Sequence, residues 1–376
     1  TESTGSSYEK VGRRRYEGDW LCKKSKSDRQ KISITSNTKK IYGGNIMASS
    51  MKGNVIVGQS GGPTAVINSS LAGVYKTAID RGARKVYGML HGVQGLLEER
   101  VVDLSQHITS DLDIDLLKRT PSSFLGSCRY KLPEIKDGTE LYDKIFEILE
   151  KLEIEYFFYI GGNDSMDTIK KLSDYALLNG SQIRFMGVPK TIDNDLAVTD
   201  HTPGFGSAAK YIASITKEVI RDGLVYDQEN VTLLEIMGRN AGWLTGAAAL
   251  AVGEDCEGPD MLFLPEITFD VEHFMKKVTD LQKEKKSVVV AISEGVKIAD
   301  GRYVCELTDN IDYVDAFGHK QLTGTSRYLA GRISKEMGCK TRAIEFNSLQ
   351  RCASHIVGRV DITEAFQVGG AAVKAA

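Results

Sequence analysis

The sequence predicts a doubly wound α/β protein with mainly parallel sheets. Two observations carry this. Strand-like apolar runs alternate with amphipathic helical stretches along most of the 376 residues. The runs are also continuous rather than alternating, which suits parallel strands buried on both faces. Asn54–Gly58 reads as the first strand, followed by a glycine turn and a helix from about Ala65 to Asp80. Lys85–Gly88 is a second, short strand. Tyr142–Lys151 reads helical because Tyr142, Ile145, Phe146 and Leu149 fall on one face. Tyr156–Ile160 is a strand, Ser165–Leu178 a helix, and Ile183–Val188, Val231–Ile236 and Ser287–Ile292 are further strands. Val271–Lys285 is the helix between the last two. No repeat of solenoid period is visible. Gly369–Ala376 is rich in Ala and Gly and reads as stopping inside a helix, with a tail missing.

Composition sets broad limits. With 41% hydrophobic and 26% charged residues this is an ordinary water-soluble chain, long enough for one large α/β domain or two lobes. A net charge of -2 gives no polyanion-binding signal, so neither nucleic acid nor membrane is an expected partner. Residues 1–50 differ, with eleven Lys or Arg against five Asp or Glu and the block Arg13-Arg14-Arg15. A nucleic-acid or membrane-surface arm is one reading; a disordered or non-native leader, with Met47 or Met51 as the start, is preferred. No apolar run reaches the roughly 20 residues of a bilayer span. The six cysteines, at 22, 128, 256, 305, 339 and 352, form no C-x-x-C pair and read as reduced thiols of a cytoplasmic protein.

Two segments carry the chemistry. Gly161-Gly162-Asn163-Asp164-Ser165 follows the run Tyr156–Ile160, and Pro189-Lys190-Thr191-Ile192-Asp193-Asn194-Asp195 follows Phe185–Val188. Both therefore sit at carboxyl ends of buried strands, where open α/β sheets place ligands. The first offers glycines and a helix start to a phosphate, with Asp164 or Ser165 as a simple helix cap in the plainer reading. Its Asn163 and Asp164 also suit a hard cation holding a polyphosphate. Gln59-Ser60-Gly61-Gly62-Pro63-Thr64 is a second glycine turn before a helix, and Arg129 with Lys131 adds cations near small residues.

In the second segment, Asp193 and Asp195 lie two apart and would face one side of an extended chain. One can accept the proton of an attacking hydroxyl while the other orients it or meets a metal-bound water. Lys190 would screen charge on a transferred phosphoryl group. Further on, Arg239 is a candidate fork for a substrate phosphate, Ser293-Glu294-Gly295 is placed for sugar hydroxyls, and Arg342 and Arg351 flank Ile344–Leu349. The whole reads as phosphoryl transfer to an alcohol.

At this point the chain resembles the 6-phosphofructokinases over nearly all of residues 53–370. The stretches that carry the resemblance are QSGGPTAVIN, FLGSCRYKL, GGNDSMDT, GVPKTIDNDLAVTDHTPGFGSAAKY, EIMGRNAGWL, AISEG, FGHKQLTG and SLQRCASH. The resemblance implies two doubly wound lobes, Mg²⁺, and phosphoryl transfer to the 1-hydroxyl of fructose 6-phosphate. The lobes would be a donor lobe over 51–197 and a sugar-phosphate lobe over 198–340, with 341–376 completing the substrate site. By position, Asp193 matches the general base, with Thr191 and Asp195 its partners around sugar and metal and Ile192 between them. Met237, Gly238 and Arg239 match the sugar-phosphate loop, Glu294 a sugar-hydroxyl ligand, Gly62 (beside Gly61) the glycine under the donor phosphates, and Arg129 a donor-side arginine. Asn163 stands where many members have a metal-associated Asp.

ATP-using members are similar but have small glycines at the positions of Asp164 and Lys190. Here a carboxylate would occupy the space of an adenylyl α-phosphate, and a lysine would supply charge. The resemblance therefore implies pyrophosphate as donor and a readily reversible reaction. It also implies a homodimer or homotetramer, because the family borrows basic residues from a neighbouring subunit. Arg342 and Arg351 fit two such places, Ser348 replaces a histidine of the ATP type, and Asn230 stands at a third arginine position. The alternatives are an ATP-dependent enzyme, sedoheptulose 7-phosphate as acceptor, or a non-catalytic sugar-phosphate-sensing relative.

Overall fold

A computed structural model describes residues 51–307 and 322–376. The basic leader, Arg13–Arg15, Met47, Cys22 and the first five residues of FGHKQLTG lie outside the described residues. The chain alternates strand and helix as the apolar pattern dictates. It begins β1 (Asn54–Gln59), α1 (Ile67–Asp80), β2 (Val86–Met89), α2 (Gly92–Leu97), β3 (Val101–Asp103) and α3 (Asp111–Arg119). It continues α4 (Glu140–Lys151), β4 (Ile154–Gly161), α5 (Asn163–Asn179), β5 (Arg184–Pro189), α6 (Phe205–Gly223) and β6 (Asn230–Ile236). Then come α7 (Trp243–Ala247), β7 (Met261–Phe263), α8 (Val271–Glu284), β8 (Ser287–Ser293), α9 (Thr325–Met337), β9 (Lys340–Glu345), α10 (Leu349–Cys352) and α11 (Arg359–Ala375).

The strands make two sheets, in the orders β3-β2-β1-β4-β5 and β7-β8-β6-β9. All pairings are parallel except the edge pair β2–β3. Every residue of β1, β6 and β8 is buried, as continuous Val/Ile/Leu runs require between two helical layers. Each sheet reverses its strand order at its first strand, β1 in one and β6 in the other. The crevices outside the carboxyl ends of β1, β4 and β6 are therefore the places where this architecture accepts a ligand.

Helix α1 starts at Ile67, two residues after the expected Ala65, because Thr64 and Ala65 still belong to the glycine turn and the N-cap Val66 makes no side-chain cap. The strand expected at Lys85–Gly88 runs one residue later. Residues 341–376 are spread over the molecule: most of β9 joins the second sheet beside β6, whereas α11 packs on α1. That helix pair is unusually close. A Cβ on Gly73 would stand 2.0 Å from the Phe366 carbonyl oxygen, so only glycine allows the two backbones to touch.

Candidate active site

Three βα turns of the first sheet and three strand ends of the second enclose a cleft of about 640 Å³. Gly62, Arg129, Gly162, Asn163, Asp164 and Lys190 line one end, and Met237, Arg239, Asn240, Glu294 and Tyr303 the other. Thr191, Ile192, Asp193, Asp195 and Arg351 are also part of its wall. A smaller cavity of about 170 Å³ adjoins the first end and is lined by Ser60, Gly61, Ser165 and the glycines, Arg129, Asp164 and Lys190.

Backbone hydrogen bonds build the first end. The Ser60 amide donates to Ile160 O at 2.9 Å, the Gly61 amide to Cys128 O at 3.1 Å, and the Lys190 amide to Gly161 O at 3.0 Å. These bonds lock the turns after β1, β4 and β5 together with the Arg129 loop. Cys128 itself packs inside, its Sγ 3.4 Å from the Tyr159 hydroxyl. Helix α5 has Gly162 as N-cap, with no side-chain cap. The plainer reading, in which Asp164 or Ser165 caps the helix, is therefore not what the structure shows. The helix instead keeps its positive end at the cleft, where an anion is favoured. Lys190 is buried, and burial together with neighbouring Arg351 lowers its ammonium to about 8.

The middle of the cleft is the turn after β5. It is not extended, as the aspartate spacing suggested: Asn194 has φ 57, so the chain bends between the two carboxylates, yet both still line the cleft. Asparagine tolerates this left-handed conformation better than most residues. Its side chain fixes the bend, accepting the Thr202 amide at 2.9 Å and donating to Asp200 O at 3.2 Å. Asp193 is raised above the usual carboxylate range by burial and then by Asp195, against the pull of Lys190, Arg239 and Arg351.

At the far end, Gly238 has φ 136, and its carbonyl accepts the Ser293 hydroxyl at 2.7 Å. The Met237 amide donates to Gln350 Oε1 at 3.2 Å. Glu294 is pushed up to about 8, first by burial and then by Glu235. Glu235 itself accepts the Ser326 amide at 2.7 Å and the Ser326 hydroxyl at 2.9 Å, which fixes the start of α9.

Residues 54–376 match the family described as phosphofructokinase. The chain belongs to the phosphofructokinase family. A Halomonas elongata protein named pyrophosphate--fructose 6-phosphate 1-phosphotransferase is 40% identical over 327 residues, 86% of this chain and 77% of its own length. A Rhodospirillum rubrum protein of the same name is 42% identical over 329 residues, 86% of this chain and 79% of its own. The crystal structure of a pyrophosphate-dependent phosphofructokinase from Nitrosospira multiformis is similar with a TM-score of 0.74 at 38% identity. It covers 85% of this chain and 75% of that one.

Within this phosphofructokinase-family chain, most of the site residues expected from the sequence meet in one cleft. Two do not. Arg342 lies on β9, half-exposed and 3.6 Å from Asp222, away from the cleft of its own chain. Ser348 is exposed at the N-cap of α10. Arg351 lines the cleft of its own chain, where a Cβ on Gly62 would stand 2.9 Å from Nη1. Asn230 is buried and engaged internally, donating to Gly223 O and Gln228 O and accepting the Ser287 hydroxyl.

Sequence reasoning missed Asn240 and Tyr303 as lining residues. Asn240 follows Arg239 directly and was legible by adjacency. Tyr303 had no signal, because it arrives through a bridge between Lys297 and Tyr303 that only the folded chain reveals.

Proposed function

We propose that this protein transfers a phosphoryl group reversibly between pyrophosphate and O1 of fructose 6-phosphate, giving fructose 1,6-bisphosphate and phosphate. The observation that carries the reading is the buried Lys190, set between the glycine turns and Asp193 with Asp164 on the same wall. Asp193 accepts the proton of the 1-hydroxyl as O1 attacks the near phosphorus of pyrophosphate and the bridging P–O bond breaks. Its raised affinity for protons makes it a better base than an exposed aspartate. Lys190 and Arg129 stabilise charge on the transferring and leaving phosphates, and Gly61, Gly62, Gly162 and Ser165 give them a close backbone seat. Thr191, Ile192, Met237, Gly238, Arg239 and Glu294 bind the sugar phosphate, Arg239 at its anionic end. Arg351 is close enough to both Gly62 and Asp193 to serve either substrate.

The donor set suits Mg²⁺. Asn163, Asp164 and Asp195 offer hard oxygens, and no cluster of three or more His, Cys, Asp or Glu among the described residues forms a ready-made cage. That is the pattern of an ion held largely by substrate phosphates and water through one or two carboxylates. When bound it would neutralise pyrophosphate charge; Asn163 and Asp195 are the residues assigned to hold it.

Pyrophosphate is favoured over ATP because Asp164 and Lys190 crowd the small donor cavity with a carboxylate and an ammonium. Asp164→Gly with Lys190→Gly is expected to abolish turnover with pyrophosphate; unchanged turnover would refute the donor assignment. The working form is proposed as a homodimer or homotetramer in the cytoplasm. Arg342, unused by its own cleft, is proposed to serve a neighbour. The five described cysteines form no disulfide with one another, and no helix among the described residues is long and apolar enough to cross a membrane.

A further inference from the structure

The last helix, α11, is fastened to both halves of the cleft without lining it. Its Asp361 is a buried carboxylate that the chemistry above leaves unused. Asp361 accepts the Gly204 amide at 2.9 Å through one oxygen. Through the other it accepts the Ser207 amide at 2.9 Å and the Ser207 hydroxyl at 2.5 Å. These donors open α6, directly after the acceptor segment. Gly204 is bridged in parallel to Thr191, the Thr191 amide donates to Pro203 O at 3.2 Å, and the Thr202 hydroxyl donates to Thr191 O at 2.7 Å. The Thr202 amide reaches Asn194, which stands between Asp193 and Asp195. A continuous run of hydrogen bonds and chain thus leads from Asp361 to the turn bearing the proposed base. On its other side α11 holds α1, the helix that follows the donor loop. Ser69 donates its hydroxyl to Ile362 O at 2.7 Å, and a Cβ on Gly369 would stand 2.2 Å from Ser70 O.

We infer that Asp361 is a positioning residue for phosphoryl transfer. Through Gly204 and Ser207 it keeps the Asp193 turn in register with the donor loop that the same helix braces. Three donors converge on it, and an ionised carboxylate accepts them all; an amide would turn its NH₂ toward at least one. A displacement of about 1 Å at the reacting groups can cost on the order of 10²-fold in rate. The glycine seat for the donor would meanwhile be untouched. The inference rests on the pyrophosphate reading above.

The test is Asp361→Asn and Ser207→Ala in the full chain. Both are assayed with pyrophosphate and fructose 6-phosphate well below each variant's melting temperature, with melts recorded in parallel. Asp361→Asn is expected to lower kcat about tenfold or more with KM for pyrophosphate within about twofold. Ser207→Ala is expected to lower kcat by a smaller factor. An Asp361→Asn enzyme that melts earlier but keeps its kcat would overturn the inference, as would equal rises in both KM values at constant kcat. If Asp361→Asn does not fold, an unchanged kcat in Ser207→Ala overturns it instead. The variants are compared with wild type on whichever donor wild type uses, so failure of the pyrophosphate reading shows separately, as a wild-type enzyme silent with pyrophosphate.

Discussion

At the scale of single residues, the site works by burying charges beside one another. Asp193 is the proposed general base, and Asp193→Ser is expected to reduce kcat by about 10²–10⁴-fold, the usual worth of such a group. Fructose 6-phosphate binding, measured calorimetrically, should survive; equal turnover would remove Asp193 from the reaction. Lys190, lowered to about 8 by burial, loses its charge as pH rises through that value. The profile of kcat/KM for pyrophosphate should therefore fall above about pH 8. Lys190→Arg should move that limb to higher pH, and Glu294→Gln should leave it in place. Glu294 makes a separate prediction about stability. Its folded-state pKa is raised from 4.5 to about 8, so between these values the folded chain keeps a proton that the unfolded chain releases. The stabilisation is fully present below pH 4.5 and lost as pH rises through 8. Glu294→Gln cannot ionise, so it should melt higher than wild type at pH 9 and not at pH 4; the same difference at both pH values would contradict this. Lys190 acts in the opposite sense: its lowered pKa makes stability rise with pH between about 8 and 10.5.

At the scale of elements, two packing devices place these residues: the turns after β1, β4 and β5, locked to one another by amides, and the α1–α11 contact. Gly73→Ala puts a methyl group 2.0 Å from a backbone oxygen that cannot swing aside. It should cost about 1–3 kcal/mol in denaturant unfolding, the usual range for overpacking, and a neutral result would mean that the helices part freely. The sequence made the central elements legible because buried parallel strands need uninterrupted apolar runs. β3 and β7 escaped because they have only three residues each. β9 escaped because Lys340-Thr341-Arg342 gives an edge strand a polar face. The glycine turns and the Lys190–Asp195 segment were legible because phosphate chemistry dictates their residue types. The side to which Arg351 turns was not, since it depends on Gln350 anchoring α10 against Met237. The bend at Asn194 was hidden for a similar reason: its partners Asp200 and Thr202 lie further along the chain.

At the scale of the whole molecule, two sheets present their switch points to one cleft, so the donor proposed for the first would face the acceptor proposed for the second. The proposed oligomer follows from what this cleft lacks. Arg342 lies outside it, and Asn230 is spent on its own chain. Arg342→Ala should therefore raise KM for fructose 6-phosphate several-fold without changing KM for pyrophosphate if a neighbour's arginine completes the site. No change in either would leave each cleft self-sufficient. The Asp164–Lys190 pair is the structural argument for a bare diphosphate rather than a nucleotide as donor. The measurement that tests this most directly is a coupled assay of fructose 6-phosphate phosphorylation with pyrophosphate and with ATP side by side. Turnover with pyrophosphate at least about 100-fold above that with ATP, a difference near 2.7 kcal/mol in transition-state stabilisation, is the expected result. Turnover with ATP equal to or greater than that with pyrophosphate would contradict it.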